Sequence, residues 1–234
     1  MPRRLLLKLS GEALCQEGGF GIDATKVLDL AGQIRGAYSH GDLELALVVG
    51  GGNFMRGEKI ASQGIGRVTG DNMGMLATIM NALAIQSALE SLGVETRVQS
   101  AIHVSDVAEP FIRRRALRHL EKGRVVLFAG GTGNPYFTTD TTAALRALQI
   151  GASALFKGTK VRGVYSADPM ADPSATFYPR LTFSEVLQKR LRVMDATSIS
   201  LCLENKLRVV VFNMTEPGNV ERALGGEELG TVIE

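Results

Sequence analysis

Four glycine-rich segments hold the residues of this chain whose types and spacing best suit phosphate chemistry. They read K-L-S-G-E-A from Lys8, G-G-G-N from Gly50, G-G-T-G-N-P from Gly130 and K-G-T-K from Lys157. Glycine lets the main chain approach a phosphate closely and turn several N–H groups towards it. A tight turn between a strand and a helix explains any one segment equally well. Four such segments together favour a single anion-binding site.

Two basic residues beside these segments could contact phosphate oxygens. Lys8 follows the apolar run Leu5, Leu6, Leu7, which places it at a predicted strand end. Its ammonium group could bind phosphate oxygens as a point charge, or Lys8 could be an ordinary solvated lysine. Arg56 comes three residues after G-G-G-N and could clamp a phosphate with two parallel hydrogen bonds, or lie on the surface. The residue types alone leave both alternatives open.

Two carboxylates precede helical patterns. Asp140 lies just before residues 143–148, where it could cap a helix. Beside phosphate-binding amides it would otherwise repel the ligand, unless Mg²⁺ or a lysine stands between them. Asp71 precedes the long pattern over residues 75–92, and could cap that helix or accept hydrogen bonds from ribose hydroxyls.

Other familiar site patterns do not occur in the sequence. It contains no G-x-x-x-x-G-K-[ST] segment, and no G-x-G-x-x-G opens a helix after the first strand, which argues against P-loop kinases and Rossmann dehydrogenases. His40, His103 and His119 lie outside the glycine-rich segments, so a catalytic histidine is disfavoured. The arginines between residues 113 and 118 suit a solvated helix face, a subunit contact or an effector phosphate site.

The elements that must position these residues alternate between short apolar runs and helical patterns. Strands are predicted at residues 4–9, 44–49, 96–99, 125–129, 154–157 and 208–213. This alternation is typical of an α/β fold with a mainly parallel sheet. The four glycine-rich segments each follow a predicted strand, and loops at the carboxyl ends of such strands share one rim where ligands bind.

The predicted helices add two further expectations. Residues 75–92 are apolar on more than one face, which indicates burial against another subunit. Thr182 and Glu185 form a capping box that opens a helix, and a further helix is predicted to start near Asp195. Residues 166–178 are rich in turn formers and interrupt the regular pattern.

Composition sets broad limits on function and location. The formal net charge of the 234 residues is only +2, so no global field is available to hold DNA. Cys15 and Cys202 form no close-spaced pair, which suits a reducing cytoplasm. Lys8 interrupts an apolar run that is too short for a signal peptide or a membrane span. We expect a cytoplasmic protein with one domain over residues 1–234.

Seven segments, in order along the chain, resemble the bacterial UMP kinase family of the amino acid kinase superfamily. They are K-L-S-G-E-A-L from Lys8, G-G-G-N-F-M-R-G from Gly50, G-D-N-M-G-M-L-A-T from Gly70, G-T-G-N-P-Y-F-T-T-D from Gly131, K-G-T-K-V-R-G-V-Y-S-A-D-P from Lys157, V-M-D from Val193 and V-F-N-M from Val211. The fourth segment is highly specific, and the match spans essentially the whole chain. The resemblance implies a three-layer α/β/α sandwich around a mainly parallel sheet of about eight strands.

The resemblance also implies roles for individual residues. Lys8, Asp140 and Arg56 would be catalytic. The ATP site would contain Lys8, Leu9, Ser10, Gly11, Gly52, Arg56, Thr159, Tyr165 and Asp168. The UMP site would contain Gly51, Asp71, Thr132, Gly133, Asn134, Pro135, Tyr136, Phe137, Thr138 and Thr139. No protein metal site is assigned, since Mg²⁺ would arrive with ATP.

The resemblance also implies how the protein assembles and how it is regulated. The family is typically a homohexamer that GTP activates and UTP inhibits. In some members an allosteric GTP site includes the stretch that matches Gly18, Gly19, Phe20, Gly21, Ile22 and Asp23. ATP, UMP and nucleotide effectors would then be the partners, without DNA or a membrane.

The expected reaction transfers the γ-phosphoryl group of ATP to UMP in pyrimidine nucleotide synthesis. The UMP phosphate has a second pKa of about 6, so its attacking oxygen is already ionised at neutral pH and needs no general base. Two alternatives stay open from the sequence. One is a kinase of an amino acid or a carbamate on the same fold, and the other is a non-catalytic uridine-nucleotide sensor.

Overall fold

The computed structural model describes residues 2–39, 41–55 and 64–234. Within these residues, a central sheet of nine strands runs in the order β4-β3-β5-β2-β1-β6-β10-β11-β9. The strands are β1 (Arg3–Leu9), β2 (Leu43–Val49), β3 (Thr96–Ser100), β4 (Glu109–Pro110), β5 (Val125–Ala129), β6 (Ala154–Thr159), β9 (Arg180–Leu181), β10 (Arg208–Asn213) and β11 (Thr231–Ile233). A separate pair, β7 (Val164–Tyr165) and β8 (Phe177–Tyr178), is antiparallel. The six strands expected from the sequence are present, and the α/β prediction with a mainly parallel sheet is confirmed.

The sheet is parallel except at one edge. From β4 through β3, β5, β2, β1 and β6 to β10, each strand pairs in parallel with the next. Strand β11 pairs antiparallel with β10 and parallel with β9, so β11 and β9 run opposite to the rest. The glycine-rich segments therefore follow strands that all point the same way, towards one rim.

The helices are α1 (Ala24–Tyr38), α2 (Arg67–Ser91), α3 (Arg113–Glu121), α4 (Thr139–Ile150), α5 (Phe183–Gln188), α6 (Ala196–Asn205) and α7 (Asn219–Gly225). A short 3-10 helix (Gly11–Leu14) follows β1. Side chains alternate along β1 between two cores, since Leu5 and Leu7 pack with α1, α2 and α7, while Leu6 packs with α3 to α6. Because successive strand residues face opposite sides, this burial produces three layers.

Helix α2 begins earlier than the sequence pattern indicates. Its first residue is Arg67 rather than a residue near 75, so Asp71 lies inside the helix and the interpretation of Asp71 as a cap is wrong. Gly70 and Gly74 weaken the apolar periodicity here and have low helix propensity. The ion pair between Arg67 and Asp71, at 2.9 Å and one helical turn apart, stabilises this first segment.

The other predicted helix starts agree better with the structure. Thr182 and Glu185 form the expected capping box at α5, and Asp195 caps α6 by accepting from the Ser198 amide. Helix α4 begins at Thr139 with Thr138 as its cap. Asp140 therefore lies in the first turn and is not the cap. None of the helices in the described residues combines the length and hydropathy that a membrane span requires.

Candidate active site

The glycine-rich segments meet at the rim of the sheet. They follow β1, β2, β5 and β6, and the order β5-β2-β1-β6 makes these strands immediate neighbours. Residue 56 lies outside the described residues, so the predicted role of Arg56 stays a prediction. The convergence of the loops follows from the parallel topology that the sequence indicates.

Lys8 and Lys157 lie side by side at this rim. They are paired positions on the adjacent parallel strands β1 and β6, so their side chains point to the same side of the sheet. Asp140, in the first turn of α4, lies between the two ammonium groups. Its Oδ1 is 2.9 Å from Lys8 Nζ, and its Oδ2 accepts a hydrogen bond from Lys157 Nζ at 2.6 Å. The three side chains form a largely buried charged cluster with two positive groups and one negative group.

The environment keeps Asp140 ionised. Burial acts to raise the pKa of its carboxyl group, but the ammonium groups of Lys8 and Lys157 outweigh this effect and hold the pKa below its usual value. Burial lowers the pKa of Lys157, and the Asp140 carboxylate opposes that change. Lys157 Nζ also donates to the carbonyl oxygen of Val193. The cluster thus presents cationic groups at the rim, with Asp140 fixing where they lie.

Asp195 connects this cluster to the loop before α4. Its carboxylate accepts hydrogen bonds from the hydroxyl groups of Thr138 and Thr141, the latter at 2.9 Å, and from the Ser198 amide at 2.9 Å. Thr138 in turn accepts from the Asp140 amide at 3.1 Å. Asp195 therefore fixes the start of α4, which carries Asp140.

The loops after β1 and β2 approach each other more closely than side chains would allow. A Cβ atom on Gly11 would lie 2.5 Å from the carbonyl oxygen of Gly50 and 2.9 Å from the amide nitrogen of Gly52. Within the described part of the chain, the amides of Gly51 and Gly52 have no hydrogen-bond acceptor. Free main-chain amides in a glycine turn form a concave site for an anion.

A cavity of about 230 Å³ opens beside these amides. Its walls come from the loop after β2, the first turns of α2 and the segment before α4. Of the residues predicted to bind UMP, it contains Gly51, Asp71, Asn134, Phe137, Thr138 and Thr139. Thr132, Gly133, Pro135 and Tyr136 do not line it, although the Tyr136 amide donates to Asp71 Oδ2 at 2.8 Å. The cavity thus joins Asn134 and residues 137–139 of the predicted UMP segment to Asp71.

The residues predicted to hold adenosine lie on the other side of β1. Thr159 ends β6, Tyr165 lies in β7, and Asp168 accepts from the Met170 amide in the following turn. Leu9 is buried at the end of β1, and Ser10 caps the 3-10 helix. The strand order therefore separates the predicted ATP half, next to β6, from the cavity next to β2 and β5.

The residues of the predicted allosteric stretch form an exposed loop. Phe20 at its tip is exposed and meets Phe54 edge to face. Gly21 donates to the Asn53 carbonyl oxygen at 3.0 Å, so the loop contacts the segment after β2. These contacts give no indication of a ligand.

Sequence reasoning missed three residues with clear places in the site. Lys157 belongs to a glycine-rich segment from which no individual role for it is predicted, although two lysines near the carboxyl ends of predicted parallel strands are a usable signal. Asp195 was expected only near a helix start. Arg67 lines the cavity, pairs with Asp71 and lies over the Tyr136 ring. Its role depends on the early start of α2, which the sequence pattern does not reveal.

Comparisons with known proteins agree with this geometry. The amino acid kinase family model matches residues 3–213. A UMP kinase structure from Bacillus anthracis is 38% identical, with a TM-score of 0.94, and the alignment covers 100% of this chain and 97% of that one. A UMP kinase from Ureaplasma parvum is also 38% identical, with a TM-score of 0.93 and coverage of 100% and 99%.

A more distant structure extends the similarity. A uridylate kinase from Archaeoglobus fulgidus is 30% identical, with a TM-score of 0.75 and coverage of 98% of this chain and 99% of that chain. The family model covers most of the chain, and the identity holds over its whole length. The chain therefore belongs to the amino acid kinase family.

Proposed function

We propose that this protein is a UMP kinase, which transfers the γ-phosphoryl group of ATP to UMP to give ADP and UDP for pyrimidine nucleotide synthesis. The observation that carries the proposal is the Lys8–Asp140–Lys157 cluster at the rim, beside a cavity lined by Asp71 and Thr139. The similarity to two bacterial UMP kinases over the full chain supports the choice of UMP as acceptor.

The proposed reaction is a direct in-line displacement. An oxygen of the UMP phosphate attacks the γ-phosphorus, the new P–O bond forms, and the bond to the bridging oxygen of ADP breaks with its electron pair going to ADP. The attacking phosphate is already ionised near neutral pH, so no side chain needs to remove a proton. Asp140, whose two oxygens both face ammonium groups, is suited to positioning rather than to proton transfer.

The main task of the chain's own residues is to neutralise and align negative charge. Lys8 and Lys157 would contact the transferred group and the phosphates on either side of it. The free amides of Gly51 and Gly52 would bind phosphate oxygens on the cavity side. Arg56 is proposed to act as a further clamp, as the sequence suggests.

Mg²⁺ is proposed to accompany ATP and to offset phosphate charge. The described residues contain no group of three or more His, Cys, Asp or Glu side chains that could hold a metal ion. Asp140 is already engaged by two lysines. Nucleotide phosphates would therefore be the main ligands of the ion, and no step above depends on a protein-bound metal.

The cavity would hold the acceptor through its ribose and base. The Asp71 carboxylate could accept from ribose hydroxyls, as the sequence suggests, while Arg67 pairs with it at 2.9 Å and fixes its direction. Main-chain and side-chain groups between Asn134 and Thr139 would contact uracil. A base with an amino group in place of a carbonyl would leave such groups mismatched.

Several finer features belong to the same proposal. Residues 1–234 would form one domain, supported by a sheet that includes both β1 and β11. The protein would assemble as a homohexamer in the cytoplasm, with GTP as activator and UTP as inhibitor. The homohexamer and its effectors follow from the family resemblance, whereas the single domain and the cytoplasmic location follow from chain length and cysteine content.

The decisive experiment measures ADP release with UMP, CMP, AMP, aspartate and glutamate as acceptors. UMP should exceed CMP by about a hundredfold or more in kcat/KM. Equal rates with UMP and CMP would leave only a general nucleoside monophosphate kinase. Turnover with an amino acid alone would identify a different kinase of this family, and binding of UMP without turnover would indicate a nucleotide sensor.

A further inference from the structure

Helix α2 contacts two of the glycine-rich loops through two polar side chains on one face. The Thr78 hydroxyl accepts a hydrogen bond from the Gly130 amide at 2.9 Å. Asn81 Nδ2 donates to the Gly50 carbonyl oxygen at 2.7 Å. Residues three apart are neighbours on a helix surface, so one rigid segment holds the loop after β2 and the loop after β5.

Asn53 completes this arrangement from the loop after β2. Asn53 and Asn81 exchange amide hydrogen bonds at 2.9 and 2.7 Å, and Asn53 Nδ2 also donates to the Gly21 carbonyl oxygen at 2.7 Å. The exposed fraction is 3% for Asn53 and 0% for Asn81. Burying polar amides costs free energy unless they are hydrogen-bonded, and here every amide group has a partner.

The neighbours of Asn81 show that the core itself does not require an amide at this position. Ile79, Ala82 and Ile85 on the same helix are buried in the apolar core between α2 and the sheet. An apolar residue could fill the same space without the need for partners. The amide of Asn81 is therefore tied to the loop that it contacts.

The hydrogen bond from Asn81 to Gly50 affects which main-chain amides of the loop after β2 remain available to a ligand. The Gly50 amide donates to the Leu9 carbonyl oxygen at 2.9 Å, and its own carbonyl oxygen accepts from Asn81. Both polar groups of Gly50 are thereby occupied, so its peptide orientation is fixed. The amides of Gly51 and Gly52 that follow are left without acceptors within the described residues and border the cavity.

We infer that Thr78, Asn81 and Asn53 are positioning residues that set the two glycine-rich loops at a fixed separation across the cavity. The inference rests on the proposed function, because the loops are taken to align the acceptor phosphate with the transferred group. Thr78 also lines the cavity, but its hydroxyl is committed to Gly130 and to the Met75 carbonyl oxygen. The effect of these residues on turnover is through the loops.

The test compares substitutions at these positions with one at a matched apolar site. Thr78→Val keeps the shape of the side chain and removes the hydroxyl, whereas Thr78→Ser keeps the hydroxyl. Asn81→Ala and Asn53→Ala remove the amides singly and together. Ile85→Val, one turn further along α2 and fully buried, changes core packing without touching either loop. Each variant is measured for kcat, KM, melting temperature and hydrogen exchange.

Misplacement of reacting groups by about 1 Å can cost up to about a hundredfold in rate, so we expect kcat to fall tenfold or more in Thr78→Val and Asn81→Ala. Thr78→Ser should stay within about threefold of the unaltered protein, and Ile85→Val should lower the melting temperature without lowering kcat. The Asn53→Ala, Asn81→Ala double variant should lose less than the product of the single losses, because the two amides act as one unit. Unchanged kcat in Thr78→Val would overturn the inference even if Asn81→Ala does not fold.

Hydrogen exchange tests the positioning role of these residues independently of which substrate the protein uses. Peptides covering residues 47–55 and 126–134 should exchange faster in Asn81→Ala and Thr78→Val, respectively, and at the unaltered rate in Ile85→Val. If the unaltered protein does not phosphorylate UMP, the proposed function fails, and the exchange pattern alone then decides the positioning role. Equal exchange in all variants would overturn that role regardless of the substrate.

Discussion

Lys8 and Lys157 reach the same carboxylate from matched positions on adjacent strands, but their surroundings differ. Lys157 donates to the Val193 carbonyl oxygen as well as to Asp140, and burial lowers its pKa. The Asp140 carboxylate opposes this effect and favours the charged form of Lys157. Lys8 lies near the end of β1, just before the main chain turns into the loop at Ser10 and Gly11. Both ammonium groups contact Asp140 at the rim, where the proposed reaction would bring the negative charge of the phosphates.

The first prediction concerns the removal of either charge. Lys8→Ala and Lys157→Ala should each lower kcat by about a hundredfold or more, because a lost transition-state contact to a phosphoryl oxygen costs roughly 3 kcal/mol. Steady-state kinetics with circular dichroism as a folding check would measure this. Lys122→Ala, at the exposed end of α3, is the control and should leave kcat unchanged. Near-normal turnover in Lys157→Ala would remove that residue from the mechanism.

The second prediction concerns the pH dependence of Asp140→Asn. Burial lowers the pKa of Lys157, and the Asp140 carboxylate raises it, so a neutral residue at position 140 should let the pKa of Lys157 fall further. The ammonium form would then be lost at lower pH than in the unaltered protein. We expect kcat of the variant to be lower throughout and to decline with rising pH at a lower pH than in the unaltered protein, which stays nearly level to about pH 8.5.

The comparison is a pair of kcat profiles against pH. The new pH dependence expected in Asp140→Asn comes from the buried position of Lys157. Parallel profiles would show that Asp140 does not control the charge of Lys157. A steep rise in the unaltered protein that disappears in Asp140→Asn would identify Asp140 as a proton acceptor instead.

Among the elements, the long apolar strands were the most predictable part. Strands β5 and β10 match the expected residues, and β1, β2, β3 and β6 differ by only one or two residues at an end. Buried parallel strands read as continuous apolar runs, which makes them visible in a sequence. The strands β4 and β9 at the two edges, and β11 next to β9, are only two or three residues long and give no such run. Their pairing depends on contacts between distant parts of the chain.

For the candidate site, the sequence could predict the location but not the side-chain contacts. The convergence of the four loops follows from strand order and direction, so sequence patterns could indicate it. The sequence leaves open that a lysine lies beside Asp140, but which lysines do so depends on the register between β1 and β6 and on the start of α4. The contacts of Asn53, Asn81 and Thr78 were also inaccessible, since a polar residue in an apolar helix does not reveal which loop it contacts.

The third prediction tests the close approach of the loops after β1 and β2. In Gly11→Ala the new Cβ would lie 2.5 Å from the Gly50 carbonyl oxygen, so one loop must move. We expect kcat to fall by about tenfold or more, because the free amides of Gly51 and Gly52 move with the loop. Gly32→Ala in α1 is the matched control, since its Cβ would meet nothing within 4 Å.

The two alanine variants should change the melting temperature in opposite directions, and only Gly11→Ala should lower kcat. Alanine is favoured over glycine in a helix interior by roughly 1 kcal/mol, so Gly32→Ala should raise the melting temperature and leave kcat unchanged. Gly11→Ala should lower both. Thermal unfolding and steady-state kinetics on the same samples would compare them. Retained kcat in Gly11→Ala would show that the loop spacing does not matter for turnover.

At the scale of the whole molecule, helix α2 has two faces with different tasks. One face carries Thr78 and Asn81 towards the loops and packs Ile85 in the core. The other carries Leu76 and Met80, which are 49% and 44% exposed although both are large and apolar. They are one helical turn apart and so form a continuous apolar strip. The sequence pattern already indicates that another subunit covers this helix.

The fourth prediction is that this strip forms a contact between copies of the chain. Sedimentation or light scattering should give a mass several times the 25.0 kDa of one chain, in keeping with the proposed homohexamer. Leu76→Glu combined with Met80→Glu would place two negative charges in an apolar contact without changing the buried face of α2. Because unpaired charges are costly to desolvate, the mass should fall while the melting transition stays cooperative.

Leu28→Glu is the control for this experiment, because Leu28 is a similarly exposed leucine on a different helix, α1. It should leave the mass unchanged. The assembly should also affect activity, since α2 carries Thr78 and Asn81 on its inner side, and a contact that steadies the helix would steady both loops. We therefore expect kcat to fall together with the mass in the double variant. If the unaltered protein has the mass of one chain, the proposed contact is refuted. If the double variant loses mass but keeps full kcat, α2 holds the loops without help from a neighbouring subunit.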